Sequence, residues 1–163
     1  MSDGQNNLMM DLAFNINEDA RKLAWSQVRQ KLETIYEGGG KAAIKKQHER
    51  NKLTARERIK YLCDAGKPFI EMGAFAGYEM YAEHGGCPAG GTVSGLGYVS
   101  GRQCVIVAND QTLKAGAWFP ITGTKNLRMQ EMALENRLPL IYLGDSSGGF
   151  LRPPAELSSE TDQ

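Results

Sequence analysis

A strand–helix–strand succession in the second half of the chain constrains its fold most. Apolar residues predict a strand over residues 103–108, a helix over residues 122–136 and another strand over residues 139–143. A helix that separates two strands commonly returns the chain to the same sheet as a right-handed βαβ crossover. The pattern therefore favours an α/β fold.

Helices are predicted before this unit. Apolar residues recur at helical spacing over residues 18–36, with Asn17 as the expected N-cap. A second, basic helix is predicted over residues 41–50. Thr54 and Glu57 have the spacing of a capping box, so a third helix is predicted to begin there.

After Pro68 the pattern changes from helices to strands. A short strand is predicted over residues 69–72, and a longer one over residues 92–99. The turn residues 100–102 join the longer strand to the strand over residues 103–108, which predicts a β-hairpin.

Length, charge and cysteine content exclude several classes of protein. The 163 residues fit one ordinary domain, and the formal net charge of zero gives no argument for nucleic acid. The sequence has no apolar run long enough to cross a membrane. The three cysteines form no CxxC pair, so no metal site is predicted and a reducing compartment is favoured. Acidic residues near the N-terminus argue against an organellar leader, so the expected location is the cytoplasm, in a bacterium.

The strand over residues 139–143 is followed by a glycine-containing segment, Gly-Asp-Ser-Ser-Gly-Gly, at residues 144–149. Gly148 and Gly149 lack a Cβ atom, so their N–H groups are accessible to a substrate oxyanion. A tight turn from a strand into a helix explains the same spacing without any chemistry. Both interpretations stay open from the spacing alone.

The same segment also spells the nucleophile elbow of serine hydrolases, with Ser146 as the nucleophile. In α/β-hydrolases the histidine base follows the serine in the chain. The two histidines of this chain, His48 and His84, both precede Ser146. A serine hydrolase is therefore the weakest of the alternatives.

Basic residues cluster between Lys41 and Lys60. They include Lys52, Arg56 and Arg58, whereas only two acidic residues lie in this interval. Such a cluster is able to bind phosphates, but a solvated helical face gives the same composition.

Several stretches together resemble one family, the carboxyltransferase β subunits of biotin-dependent acyl-CoA carboxylases. The methylcrotonyl-CoA and propionyl-CoA carboxylase branch is the most similar. The resemblance covers residues 18–151 and follows the order of the family's motifs. These stretches are KQHERNKLTARERI at residues 46–59, GGTVSGLG at 90–97, ANDQTLKAG at 108–116 and KNLRMQEMA at 125–133, followed by RLP at 137–139 and DS at 145–146.

The resemblance implies an α/β fold: an incomplete crotonase-like domain preceded by N-terminal helices. Residues 1–37 would form a helical arm, and residues 38–151 the beginning of the acyl-CoA-binding domain. Residues 152–163 form a polar tail that departs from the family.

The resemblance also implies a reaction, in which a carboxyl group moves from carboxybiotin to an acyl-CoA through an enolate. Gly148 and Gly149 match the glycines that stabilise the oxyanion, and Lys52, Arg56 and Arg58 become candidates for the CoA phosphates. Carboxybiotin would arrive on a biotin carboxylase and carrier subunit, and the family's full-length subunits form homo-oligomers. No metal is implied.

Departures from the family pattern qualify these expectations, among them Ala115 in place of a glycine. Ser147 stands where the family commonly has glycine or alanine, and the family continues for several hundred residues. The chain therefore resembles an early part of a truncated subunit, which we expect to be inactive alone. A non-catalytic module that binds CoA or other subunits is the alternative, and the acyl group depends on later segments of the family.

Overall fold

The computed structural model describes the backbone of residues 2–149 and the side chains of residue 10 and residues 12–149. Backbone contacts divide the chain into two compact units, Met1–Tyr36 and Glu37–Gln163. The tail over residues 152–163 lies outside the described residues.

The first unit is one helix, α1, which spans Ser2–Tyr36. The predicted start of this helix after an Asn17 cap is wrong, because Asn17 lies inside α1. The residues before Asn17 include methionine, leucine and alanine, which are strong helix formers, and one asparagine inside a helix costs well under about 1 kcal/mol.

The second unit contains the predicted helices and strands, with bounds that differ by at most two residues. The capping box at Thr54 and Glu57 is confirmed. The helices are α2 Lys41–Glu49, α3 Ala55–Leu62 and α4 Pro120–Glu135, and the strands are β1 Ile70–Met72, β2 Thr92–Val99, β3 Arg102–Asn109 and β4 Leu140–Leu143.

The four strands form one sheet in the order β1-β2-β3-β4. The predicted hairpin is confirmed, because β2 and β3 pair antiparallel with Val99 opposite Arg102. The predicted βαβ crossover is also confirmed: β3 and β4 pair in parallel, with Val105 beside Leu140, and α4 connects them.

The core lies on both faces of β3. Cys104, Ile106 and Ala108 pack in one buried cluster with Ile59 of α3. Val105 and Val107 point to the other face, where they pack against Met129 and Ala133 of α4. Since successive side chains of a strand alternate between faces, the continuous apolar run of β3 is what a strand covered on both sides requires.

Thr54→Ala is expected to lower the free energy of unfolding by about 1 kcal/mol. The Thr54 Oγ1 accepts a hydrogen bond from the Glu57 N–H at 3.4 Å, and the Glu57 carboxylate accepts one from the Thr54 N–H at 2.8 Å. Thr54→Ser, which keeps the acceptor, is the control. Urea unfolding of the three proteins is the measurement, and an alanine variant as stable as the parent would contradict the role of the cap.

Candidate functional site

The glycine-containing segment leaves the C-terminal end of β4 and runs over residues 144–149 without helix or strand, and Gly149 pairs with Trp118 in an isolated parallel β-bridge. Residues 146–149 are exposed. A Cβ atom built on Gly148 or Gly149 meets no atom within 4 Å. The space beside both glycines is therefore open to a ligand.

This loop lies against the turn Lys114–Gly116. The three residues of the turn have left-handed φ angles of 45°, 54° and 73°. The Ser147 N–H donates to the Ala115 carbonyl at 3.1 Å, and the Trp118 N–H donates to the Gly148 carbonyl at 3.0 Å. A Cβ atom on Gly116 would lie 2.3 Å from the Asp145 carbonyl oxygen. Only glycine at position 116 permits this approach of two backbones.

The two glycine N–H groups differ in their surroundings. The Gly148 N–H donates to Ser146 Oγ at 3.2 Å, and the same hydroxyl lies 3.3 Å from the Gly148 carbonyl. The Gly149 N–H donates no hydrogen bond to any group within residues 2–149. An acceptor placed beside Gly149 would therefore meet an available donor, whereas a bond to Gly148 would require the Ser146 hydroxyl to turn away.

The surroundings of Ser146 do not support a nucleophile. Its hydroxyl bonds to backbone groups of Gly148. His48 bonds to the Glu57 carboxylate, with 2.9 Å between Nε2 and Oε2. His84 follows β1 in the short 3₁₀ helix Ala82–His84, and neither ring bonds to Ser146 in the described part of the chain. A serine hydrolase needs a base at this hydroxyl.

The three predicted phosphate ligands each have an internal partner. Lys52 Nζ lies 3.3 Å from an Asp145 carboxylate oxygen, beside the glycine loop. Arg56 makes a two-point ion pair with Glu71 at 2.8 and 3.0 Å. The structure thus places Lys52 at the candidate site and Arg56 beside β1.

Arg58 joins the ends of two strands. Its guanidinium donates to the Leu143 carbonyl at 3.2 Å and to the Asn109 carbonyl. Asn109 ends β3 and Leu143 ends β4, so Arg58 connects the ends of these two strands at the point where the glycine loop leaves β4.

Lys125 is a buried polar residue outside the set of site residues predicted from the sequence. Its side chain is buried, with 6% of its surface exposed, and Nζ donates to the Ala89 and Thr92 carbonyls at 2.8 and 2.7 Å. Burial lowers the pKa of Lys125 to about 8. The sequence contains a signal for this burial, because Lys125 precedes the buried Met129 by four residues on α4.

The described residues contain no cluster of three or more histidine, cysteine, aspartate or glutamate side chains suited to a metal ion. The helices within residues 2–149 are too short or too polar to cross a membrane.

Residues 46–154 match the carboxyl transferase domain family. The chain therefore belongs to this family, and the resemblance in its motifs is confirmed. The mitochondrial methylcrotonoyl-CoA carboxylase β chain of Arabidopsis thaliana is 44% identical over 89% of this chain and 24% of its own length. The biotin-dependent 3-methylcrotonyl-coenzyme A carboxylase β1 subunit of Mycobacterium tuberculosis is 45% identical over 86% of this chain and 26% of its own length.

Solved structures confirm the predicted fold class, an incomplete crotonase-like α/β domain preceded by N-terminal helices. The β subunit of geranyl-CoA carboxylase from P. aeruginosa superposes with a TM-score of 0.77 at 33% identity, over 88% of this chain and 26% of that one. The 12S transcarboxylase, a hexamer with methylmalonyl-coenzyme A bound, gives a TM-score of 0.72 at 31% identity, over 78% of this chain and 26% of that one. The chain thus spans about a quarter of the length of these relatives.

Proposed function

We propose that this chain is the acyl-CoA-binding beginning of a carboxyltransferase β subunit, and that the loop over residues 144–149 stabilises the enolate of the acyl group. One observation carries the proposal: the N–H of the exposed Gly149 has no acceptor in the described chain and lies beside open space, on a loop that is hydrogen-bonded to the Lys114–Gly116 turn. Oxyanion donors that are fixed before the substrate binds need no reorganisation during the reaction.

This chain would contribute to the reaction by electrostatic stabilisation of the enolate oxygen. The Gly149 N–H, joined by the Gly148 N–H once the Ser146 hydroxyl turns, would donate to the thioester oxygen as negative charge develops there. One such donor contributes on the order of 3 kcal/mol to a transition state. Carboxybiotin, carried by a partner subunit, supplies the carboxyl group when it is bound. No catalytic histidine or serine of this chain is required.

The three basic residues are retained as candidates for the CoA phosphates. Lys52 has half of its side chain exposed and lies at the loop, so a phosphate reaches it most easily. Arg56 and Arg58 would have to exchange an internal partner for the phosphate. Phosphate binding by this set predicts an affinity that falls as salt concentration rises.

Gly149→Ala is expected to weaken binding of an acyl-CoA thioester at least tenfold, because its methyl group would occupy the space where the thioester oxygen approaches. The fold accepts the alanine, since a Cβ atom there meets nothing within 4 Å. Gly144→Ala is the matched control: its Cβ atom is equally unobstructed, and residue 144 is outside the proposed donors. Calorimetry measures the affinities of the three proteins.

Equal affinities of the two variants would overturn the assignment of Gly149.

We also propose that the isolated chain transfers no carboxyl group, because it spans only about a quarter of the length of its relatives. Incubation with acyl-CoA and a carboxylated biotin carrier tests this, and turnover at the rate of a full-length relative would refute it. The cytoplasm is the proposed location.

A subunit-interaction module is the second candidate function. Helix α1 exposes several large apolar side chains, among them Met10, Phe14 and Trp25, each more than half exposed. Such side chains on one helix are typical of surfaces that contact another chain, a homo-oligomer or a carboxylase partner. A chain that binds neither CoA nor acyl-CoA but co-purifies with a full-length β subunit would favour this candidate.

A further inference from the structure

Asp145, at the start of the glycine loop, is bound by two side chains from distant parts of the sequence. Lys52 Nζ lies 3.3 Å from Oδ2 of the Asp145 carboxylate. Gln111 Nε2 donates to the other oxygen, Oδ1, at 2.5 Å and to the Asp145 backbone carbonyl at 3.3 Å. Lys52 Nζ also lies 3.5 Å from the Gln111 side-chain oxygen, so the three side chains form a closed network.

This network holds the loop at one end, and the Lys114–Gly116 turn holds the other. Gln111 is itself bound from α2, since Gln47 Nε2 donates to its carbonyl at 3.4 Å. Beyond Asp145, the Ser147 N–H is bound to Ala115. The loop is therefore attached on both sides of Ser146, immediately before the two glycines.

We propose that Lys52 and Gln111 are positioning residues, which hold Asp145 and thereby fix the loop that presents the Gly148 and Gly149 N–H groups. The positive charge of Lys52 has a second consequence. An uncompensated carboxylate near an oxyanion opposes the development of negative charge, and the Lys52 ammonium offsets it. This inference rests on the proposed function of the two glycines.

Amide hydrogen exchange tests the positioning role without any substrate. Lys52→Met and Gln111→Met remove the two contacts with little change of side-chain length. Each is expected to accelerate exchange of the Ser147 amide at least fivefold, while amides of β4 change less than twofold. Lys52→Arg, which keeps the charge and donors, is expected to restore the parent rate within about twofold.

Lys45→Met is the matched control, because the Lys45 side chain is 79% exposed and its contact is a 3.9 Å ion pair with Glu49. It is expected to leave the Ser147 rate unchanged. Three results would each overturn the proposal: an unaltered Ser147 rate in Lys52→Met, no recovery in Lys52→Arg, or equal acceleration throughout β4, which indicates a general structural role. A Ser147 amide that already exchanges at the unprotected rate in the parent chain would overturn it as well.

Binding measurements separate this inference from the proposed function. With acyl-CoA and the matching acyl-pantetheine, which lacks the nucleotide, Gln111→Met is expected to lower both affinities by the same factor, because Gln111 carries no charge for a phosphate. Lys52→Met is expected to lower the affinity for acyl-pantetheine as well, and any additional loss with the CoA ester measures its proposed phosphate contact. Unchanged affinity of both variants for acyl-pantetheine would overturn the positioning role. If neither ester binds the parent chain, the proposed function fails, while the exchange rates still decide whether Lys52 and Gln111 fix the loop.

Discussion

Gly116→Ala is expected to lower the free energy of unfolding of the second unit by about 3 kcal/mol. An alanine at a φ of +73° costs about 1–2 kcal/mol in backbone strain alone. Its Cβ atom would also lie 2.3 Å from the Asp145 carbonyl oxygen, so the loop and the turn have to separate. The Ser147–Ala115 hydrogen bond is then weakened or lost.

Urea unfolding followed by Trp118 fluorescence measures this loss, in a Trp25→Phe background that leaves a single tryptophan. Gly123→Ala is the control, because Gly123 lies inside α4 with a conventional φ and nothing within 4 Å of its Cβ position. The control is expected to be as stable as the parent or up to about 1 kcal/mol more stable. A Gly116→Ala loss below about 1 kcal/mol would show that the two backbones are not held in contact.

Lys125→Met is expected to lower the free energy of unfolding by about 2 kcal/mol at pH 7. The Ala89 and Thr92 carbonyls lose their buried donor, and each unsatisfied polar group costs about 1–3 kcal/mol. Methionine fills most of the space of the lysine stem, which limits any cavity. The Pro88–Gly91 turn before β2 is the part of the structure expected to loosen.

The same substitution has a predicted pH dependence. Burial lowers the pKa of Lys125 from 10.5 to about 8, so between these values the unfolded chain holds a proton that the folded chain has released. The free energy of unfolding of the parent therefore rises with pH in this window, by up to about 1.4 kcal/mol per pH unit. Lys125→Met has no lysine to titrate at this position, so its free energy of unfolding does not rise in this way. The amount by which it is less stable than the parent is expected to grow by about 2 kcal/mol between pH 8 and pH 10.

Urea unfolding at pH 7, 8, 9 and 10 measures the difference in the free energy of unfolding between the parent and Lys125→Met. The titration of all other groups cancels in this difference. Lys41→Met provides the control, because the Lys41 side chain is 87% exposed. Its free energy of unfolding is expected to differ little from that of the parent. A Lys125→Met deficit that stays constant or shrinks toward pH 10 would contradict a depressed pKa.

Local patterns in the sequence were sufficient for most of the secondary structure. The capping box at Thr54, the hairpin turn at residues 100–102 and the apolar run of β3 each depend on residues close together in the chain. The start of α1 was predicted wrongly because a capping residue such as Asn17 also tolerates a helix interior when strong helix formers precede it.

The candidate site was only partly predictable from the sequence. Its glycines and its family were recognisable from motifs, because Gly148 and Gly149 are adjacent and the family's stretches follow in order. The roles of Lys52, Gln111 and Gly116 were not recognisable from motifs. Each of these residues contacts Asp145 from a position 29 to 93 residues away along the chain. Such contacts exist only after β3 and β4 have paired.

The sequence by itself therefore determined the helices and strands, the βαβ crossover and membership of the carboxyl transferase domain family, because these depend on local periodicity and ordered motifs. The tertiary structure decided which groups surround the loop. It bound Lys52 to Asp145, joined Arg58 to the strand ends and buried Lys125 beneath a turn. These pairings depend on distances in space, which are set by how α3 and α4 pack on the two faces of β3.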